Sequence, residues 1–363
     1  MVFMMRAHNF GAGPCTLPLD VLEEVQAEFL DYAGTGMSLI EMSHRSPEYE
    51  SVHEQALGLA RSVAEAPDEF EVLFIQGGAT LQFAMVAMNL LEADQRAGYV
   101  VSGSWGKRAL EDAGPHGGVY SAWDGKEHLY TRMPRSGEIE LRPDTRYLHV
   151  TTNETIGGIR MVDMPDIGVP LVADMSSEYL ARPIDWRLYD LVYGGVQKNL
   201  APAGMSVVYV RKPAMKNSRS DLGSFLRYSW HAETGSLGHT PPMFPIYIMG
   251  KVLARMKEEG GIRAAEKTAA EKASLLYRVI DASYGFYRSP VDPEVRSDMN
   301  VVFRLRDEAL EREFVAASEA AGMVGLKGHR SVGGLRASLY FALPMASVEY
   351  LADFMTAFQA SHA

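Results

Sequence analysis

The sequence nearly lacks cysteine: Cys15 stands alone in 363 residues. One thiol makes no internal disulfide and leaves no metal-thiolate cluster, so no metal site is expected, and a reducing cytoplasm fits. Long apolar runs are missing as well. No segment reaches the roughly 18 apolar residues of a membrane span, and the opening MVFMMRAHNFGAGP has too short an apolar part for a signal peptide, so an unexported protein is expected. Positive charge is in deficit, with 35 Lys and Arg against 46 Asp and Glu, a net charge of -11. An anionic chain gains no general counterion-release affinity for nucleic acid, whereas a small anion needs only a few converging basic groups. Repeats, low-complexity segments and blocks of like charge are absent too, which excludes a linker-joined array.

What is there is the composition of a globular protein, 47% apolar and 22% charged. The length admits a domain of about 250 residues beside a smaller one. Short runs rich in Val, Ile, Leu and Tyr recur: EVLFIQ (71–76), GYVVSG (98–103), GVYSAW (118–123), RYLHVT (146–151), VPLVAD (169–174), DLVYGG (190–195) and MSVVYV (205–210). Such continuous apolar strands, with helical patterns between them, predict an α/β fold around a mostly parallel seven-stranded sheet covered on both faces. LQFAMVAMNLLEA, after the first run, has helical spacing. Residues 242–282 read as helix broken at Gly260-Gly261, followed by strand-like MNVVFRL (299–305), a helix near 307–321, strand-like GLRASLYFA (334–342) and a last helix from about 346. That alternation predicts a smaller α/β domain. The expected division is 17–258 for the large domain, and 1–16 with 259–363 for the small one.

In open α/β sheets, ligands lie beyond the carboxyl ends of the strands. Just past the apolar runs stand Gly77-Gly78-Ala79-Thr80, Ser104-Trp105, Thr152-Asn153-Glu154-Thr155, Asp174 and Gln197-Lys198. A lysine is ordinarily a solvated surface charge, yet Lys198 lies inside YGGVQKNLAPAGM, where small residues let the backbone crowd close. Together these positions offer a phosphate cradle, an aromatic plate, a hydroxyl, an acid and a lysine. Pyridoxal 5'-phosphate needs that set: N–H groups at a helix N-terminus for its phosphate, a stacking partner, a carboxylate for its ring nitrogen and a lysine for its aldehyde. A dinucleotide site is the competing reading, but GAGPC near residue 11 lacks a full preceding strand and the third glycine of G-x-G-x-x-G.

An ordered series of motifs spans nearly the whole chain: NFGAGPCTLP (9–18), EMSHRSPEY (41–49), QGGATLQF (76–83), NETIGG (153–158), ADMSSEYLARPID (173–185), YGGVQKNLAPAG (193–204), HTPP (239–242) and KGHRSVGGLRASLY (327–340). In them the chain resembles the phosphoserine aminotransferases, a class V family of fold-type I pyridoxal-phosphate enzymes. The resemblance implies Lys198 as the Schiff-base lysine, Asp174 on the pyridinium nitrogen, Trp105 stacked on the ring and Thr155 on the ring hydroxyl. It assigns the cofactor phosphate to Ala79, Thr80 and Gln197, with His239 and Thr240 reaching over from the second subunit of a homodimer. It makes Arg336 the α-carboxylate clamp and gives His44, Arg45, His329 and Arg330 the distal phosphate or the side-chain carboxylate of glutamate. Arginine's planar fork matches both anions. The implied reaction is ping-pong amino transfer from L-glutamate to 3-phosphohydroxypyruvate, in serine biosynthesis and, for some relatives, pyridoxine biosynthesis.

Three features depart from the family pattern. His239 stands where Asn is usual before TPP, Thr80 stands where some members carry an arginine, and 124–144 carries little of the pattern. The rival reading is a class V aminotransferase for an unphosphorylated 2-oxo acid such as glyoxylate or pyruvate. The His44-Arg45 and His329-Arg330 pairs argue against it, because a small substrate would leave that charge unpaired. A cysteine desulfurase would need a nucleophilic cysteine well downstream of Lys198, and the chain has only Cys15.

Overall fold

Each of the seven apolar runs is a strand of one sheet: β1 (Phe70–Gln76), β2 (Arg96–Val101), β3 (Gly118–Asp124), β4 (Thr145–Thr151), β5 (Leu171–Asp174), β6 (Tyr189–Gly195) and β7 (Met205–Arg211). The structure, a computed structural model, describes residues 6–92, 94–215, 219 and 221–362. The strands lie in the order β1-β7-β6-β5-β4-β2-β3. All neighbours are parallel except β7, which runs antiparallel to β1, with Met205 opposite Gln76, and to β6, with Ser206 opposite Gly195.

Alternation along each strand explains why the runs are continuously apolar. Val72, Phe74, Ala173, Val192 and Val207 pack on one face, with Ala56 and Ala60 of α2 (Pro47–Val63). Leu73, Ile75, Val172, Leu191 and Val208 pack on the other, with Phe83 and Val86 of α3 (Gly78–Leu90) and Ala109 of α4 (Ser104–Ala113). The first face is also covered by Ile246, Met249 and Leu253 of α5 (Met243–Glu258). Local signals set the helix starts. Ser46 accepts the N–H of Tyr49 with Pro47 at the first helical position of α2. Gly77 takes φ 108°, a left-handed conformation that turns β1 straight into α3, while its N–H donates to Gly204 O at 3.0 Å.

A second core gathers Phe10, Leu276, Phe303, Phe314, Met355 and Phe358. It is built from α6 (Gly261–Ala282), β8 (Asn300–Phe303), α7 (Glu308–Ala320), β9 (Leu335–Ser338) and α8 (Met345–His362). The break before α6 falls at Gly260-Gly261 as expected. β8 and β9 pair antiparallel, and His8–Asn9 pairs parallel with Met323–Val324. The expected strand 334–342 is shorter because the chain turns away after Ser338: Lys272 Nζ donates to the carbonyls of Tyr340 and Phe341, and Phe341 N–H donates to Asn199 Oδ1. A short ladder not foreseen in the sequence joins Asn153–Glu154 to Ile159–Arg160. Among the described residues, no helix is long and apolar enough to cross a membrane, and no group of His, Cys, Asp or Glu side chains is arranged to hold a metal ion.

Candidate active site

The ends of β1, β2, β4, β5 and β6 open on one cavity of about 430 Å³, and β7, being antiparallel, begins there. Its walls include Gly77 to Thr80, Trp105, Thr155, Asp174, Gln197 and Lys198. The sheet therefore brings together seven of the sequence-derived positions: Ala79, Thr80, Trp105, Thr155, Asp174, Gln197 and Lys198.

Lys198 lies three residues past β6. Its Nζ donates to Thr155 Oγ1 at 2.7 Å and stands 5.6 Å from the centroid of the Trp105 ring. Burial pulls its pKa down from 10.5 to about 8, against the opposing pull of Asp174; Arg336 adds to the depression. Asp174 is buried at the end of β5. Its Oδ1 accepts the N–H of Ser176 at 2.9 Å and the Ser176 hydroxyl at 2.6 Å. No donor among the described residues reaches Oδ2, which leaves one carboxylate oxygen free at the cavity wall. Burial raises the Asp174 pKa, while the Ser176 hydrogen bonds and Lys198 oppose the rise. The Ser176 hydroxyl also accepts the N–H of Gly195 at 3.0 Å, so one side chain ties the acid to the strand that delivers the lysine.

The first turn of α3 meets the cavity at Gly78, Ala79 and Thr80. The opening N–H groups of a helix lack intrahelical acceptors and favour an anion there. Trp105 opens α4, and its indole Nε1 is buried without a partner. A ring plate, a free buried carboxylate oxygen, a helix N-terminus and a lysine of lowered pKa fit the ring, nitrogen, phosphate and aldehyde of pyridoxal phosphate.

The basic residues divide into two groups outside these walls. Arg336, on β9, reaches back so that Nη1 lies 3.4 Å from Thr155 O, and its buried Nε has no partner. Nearby, the positive charges of Arg336 and Arg330 add to burial in lowering the pKa of His329. His44, Arg45, His239 and Thr240 are not in the cavity wall. They stand together elsewhere, His44 lowering the pKa of His239 after the larger effect of burial. The His239 ring is wedged edge-on against Phe225 at 4.9 Å. Among the described residues, Arg45, Arg330 and Arg336 form no ion pair with a carboxylate; the bridges that do form involve other arginines, lysines and His362.

Three residues that organise this wall carry no assignment from sequence. Ser176 follows the acid by two positions, a spacing that favours a local hydrogen bond. Asn153 is bonded at both amide atoms: Nδ2 donates to Ser177 Oγ at 2.7 Å and Asn300 Oδ1 at 2.8 Å, and Oδ1 accepts from Ser297 Oγ at 2.6 Å. Glu154 is the third, a buried acid whose pKa burial raises to about 7. Only Ser176 had a local signal to find it by.

The sequence matches the model of the family Aminotransferase class-V over residues 7–351. The chain belongs to the class-V aminotransferases. Within these aminotransferases it is 50% identical to a phosphoserine aminotransferase of Niallia circulans over 98% of this chain and 99% of the relative. It is 47% identical to that of Lysinibacillus sphaericus strain C3-41, again over 98% and 99%. Among solved structures, a phosphoserine aminotransferase from Bacillus circulans subsp. alkalophilus superimposes with a TM-score of 0.96 at 49% identity, covering 99% of both chains. The chain is thus a pyridoxal-phosphate-dependent aminotransferase of α/β fold.

Proposed function

We propose that the chain moves the amino group of L-glutamate to 3-phosphohydroxypyruvate, giving O-phospho-L-serine and 2-oxoglutarate by a reversible ping-pong route in serine biosynthesis. The observation that carries this reading is the convergence on one cavity of Lys198, the free Oδ2 of Asp174 and the Trp105 plate, with the unpaired guanidinium of Arg336 against Thr155. The similarity to phosphoserine aminotransferases along the whole chain supports the choice of substrates.

Bound pyridoxal phosphate supplies an electrophilic aldehyde and a ring that takes up the electron pair left when the substrate Cα loses its proton. Lys198, with a pKa near 8, holds a substantial neutral fraction at mildly alkaline pH and serves as the amine that accepts and returns that proton. Asp174, through the oxygen that Ser176 leaves free, would hold the ring nitrogen and keep it protonated. Thr155, which holds the lysine amine, would also take the ring hydroxyl, and Ala79, Thr80 and Gln197 would take the phosphate. Arg336 takes the carboxylate next to the reacting carbon, common to L-glutamate and 3-phosphohydroxypyruvate, and His44, Arg45, His329 and Arg330 answer the second anion.

The working unit in this proposal is a homodimer in the cytoplasm, without nucleic-acid or membrane partners. His44, Arg45, His239 and Thr240 stand away from their own cavity, which suits a contribution to the neighbour's site, and the exposed Leu30, Met37 and Ile40 offer an apolar face for contact. The division into 17–258 and 1–16 with 259–363 is supported by the second core, whose buried residues, Phe10 and those from Ala273 to Phe358, all fall in the smaller part. An acceptor screen with glutamate as donor tests the activity: 3-phosphohydroxypyruvate is expected to exceed glyoxylate and pyruvate in kcat/KM, and preference for either of those two acids would overturn the assignment.

A further inference from the structure

Glu154 is 1% exposed and stands between Asn153 and Thr155 in the cavity wall. Each of its carboxylate oxygens accepts one backbone N–H from the first turn of α4, Oε2 from Trp105 at 3.1 Å and Oε1 from Gly106 at 2.8 Å. Those donors belong to a helix start, where intrahelical acceptors are lacking and negative charge is favoured. The carboxylate fits because side chains are missing opposite it. A Cβ on Gly103 would lie 2.6 Å from Glu154 Cδ, and one on Gly106 would meet Val100 O at 2.7 Å and Glu154 Oε1 at 3.4 Å.

Behind the carboxylate the backbone is equally constrained. Glu154 pairs with Ile159 in the short ladder, and its carbonyl accepts the N–H of Gly158 at 2.8 Å. The plate itself has no such tie, because Trp105 Nε1 has no partner. The polar contacts that locate the indole therefore act through the Trp105 backbone, and Glu154 makes one of them. The next residue, Thr155, accepts a hydrogen bond from Lys198 Nζ. Two consecutive residues thus hold Trp105 and Lys198, whose Nζ lies 5.6 Å from the centroid of the Trp105 ring.

We propose that Glu154 is a positioning residue: its carboxylate fixes the backbone of Trp105 and thereby the plane on which the cofactor ring rests relative to Lys198. The proposal rests on the reading of Trp105 as the stacking plate.

Four variants separate position from charge. Glu154→Gln keeps the shape but accepts from only one of the two N–H groups, Glu154→Asp keeps the charge but falls one methylene short, Glu154→Ala removes both, and Trp105→Ala removes the plate. Each apoprotein is titrated with pyridoxal phosphate while the visible circular dichroism of the bound cofactor is recorded, and kcat and KM are measured on the reloaded enzyme. Glu154→Asp and Glu154→Ala are expected to raise the cofactor Kd about tenfold and to change the dichroism, with Glu154→Gln a few-fold and intermediate. The loss is expected in kcat, with KM for glutamate held within about twofold, because Glu154 acts through Trp105 and not on the substrate. A Glu154→Asp enzyme with wild-type Kd and dichroism overturns the proposal, since charge alone would then suffice. Unchanged dichroism in Glu154→Gln and Glu154→Ala, with Trp105→Ala altered, overturns it while leaving the plate in place. Wild-type behaviour of Trp105→Ala removes the stacking assignment and the proposal with it. If Glu154→Ala fails to fold by far-ultraviolet dichroism, the Gln and Asp variants decide.

Discussion

Asn153 Nδ2 donates to Asn300 Oδ1 at 2.8 Å across 147 positions of sequence. The contact joins the end of β4 to β8, and Asn300 continues it through Nδ2 to Ser338 Oγ at 3.0 Å on β9, the strand that carries Arg336. Arg336 and the lysine pocket are therefore registered to each other by buried amides. Asn153→Ala strands donors and acceptors of Ser177, Ser297 and Asn300, each a buried group whose loss of a partner costs about 1–3 kcal/mol. We expect a lower denaturant midpoint and a raised KM for glutamate, with the cofactor absorbance retained. An unaltered KM would separate Arg336 from this network.

Lys198 makes function and stability oppose each other. Its pKa in the folded chain is about 8, below the ordinary 10.5. The unfolded chain therefore binds more protons than the folded apoprotein between those two values. The lysine destabilises the folded state fully below about pH 8, and the penalty fades as pH rises toward 10.5. Lys198→Met removes it, so the apoprotein is expected to gain up to about 3 kcal/mol at pH 7 while multiple turnover is abolished. Calorimetry of apoproteins from pH 7 to pH 10 should find the two melting curves converging as pH rises; a constant gap would contradict the linkage.

Arg45 is exposed and lacks an ion-pair partner among the described residues. If it answers the distal phosphate, Arg45→Ala should cost about tenfold or more in kcat/KM for 3-phosphohydroxypyruvate, as expected for a charge-assisted contact, and much less for hydroxypyruvate. Equal losses on the two substrates would deny it that role.

Phe314 anchors the second core. It is 0% exposed, and its ring meets Phe358 at 5.0 Å and Phe354 at 5.2 Å between centroids. Phe314→Ala is expected to cost about 3–5 kcal/mol, read as a fall in denaturant midpoint at unchanged m-value.

Much of this architecture was legible in the sequence because a sheet covered on both faces leaves its strands apolar throughout. EVLFIQ and DLVYGG fell on β1 and β6 for that reason, and strand ends then pointed to Trp105, Asp174 and Lys198. Direction was not legible, since MSVVYV has the same pattern whether β7 runs parallel or antiparallel. Asn153 and Glu154 could not be assigned either. Their partners, Asn300 at one side and the α4 backbone at the other, are far away in sequence, and an amide or acid in a short polar run carries no mark of what it will meet.

The shared hydroxyl of Ser176 has a dynamic consequence. Because it bonds both Asp174 and the Gly195 N–H, a displacement of β5 against β6 has to stretch one of these hydrogen bonds, so the position of the acid relative to the lysine-bearing turn resists change.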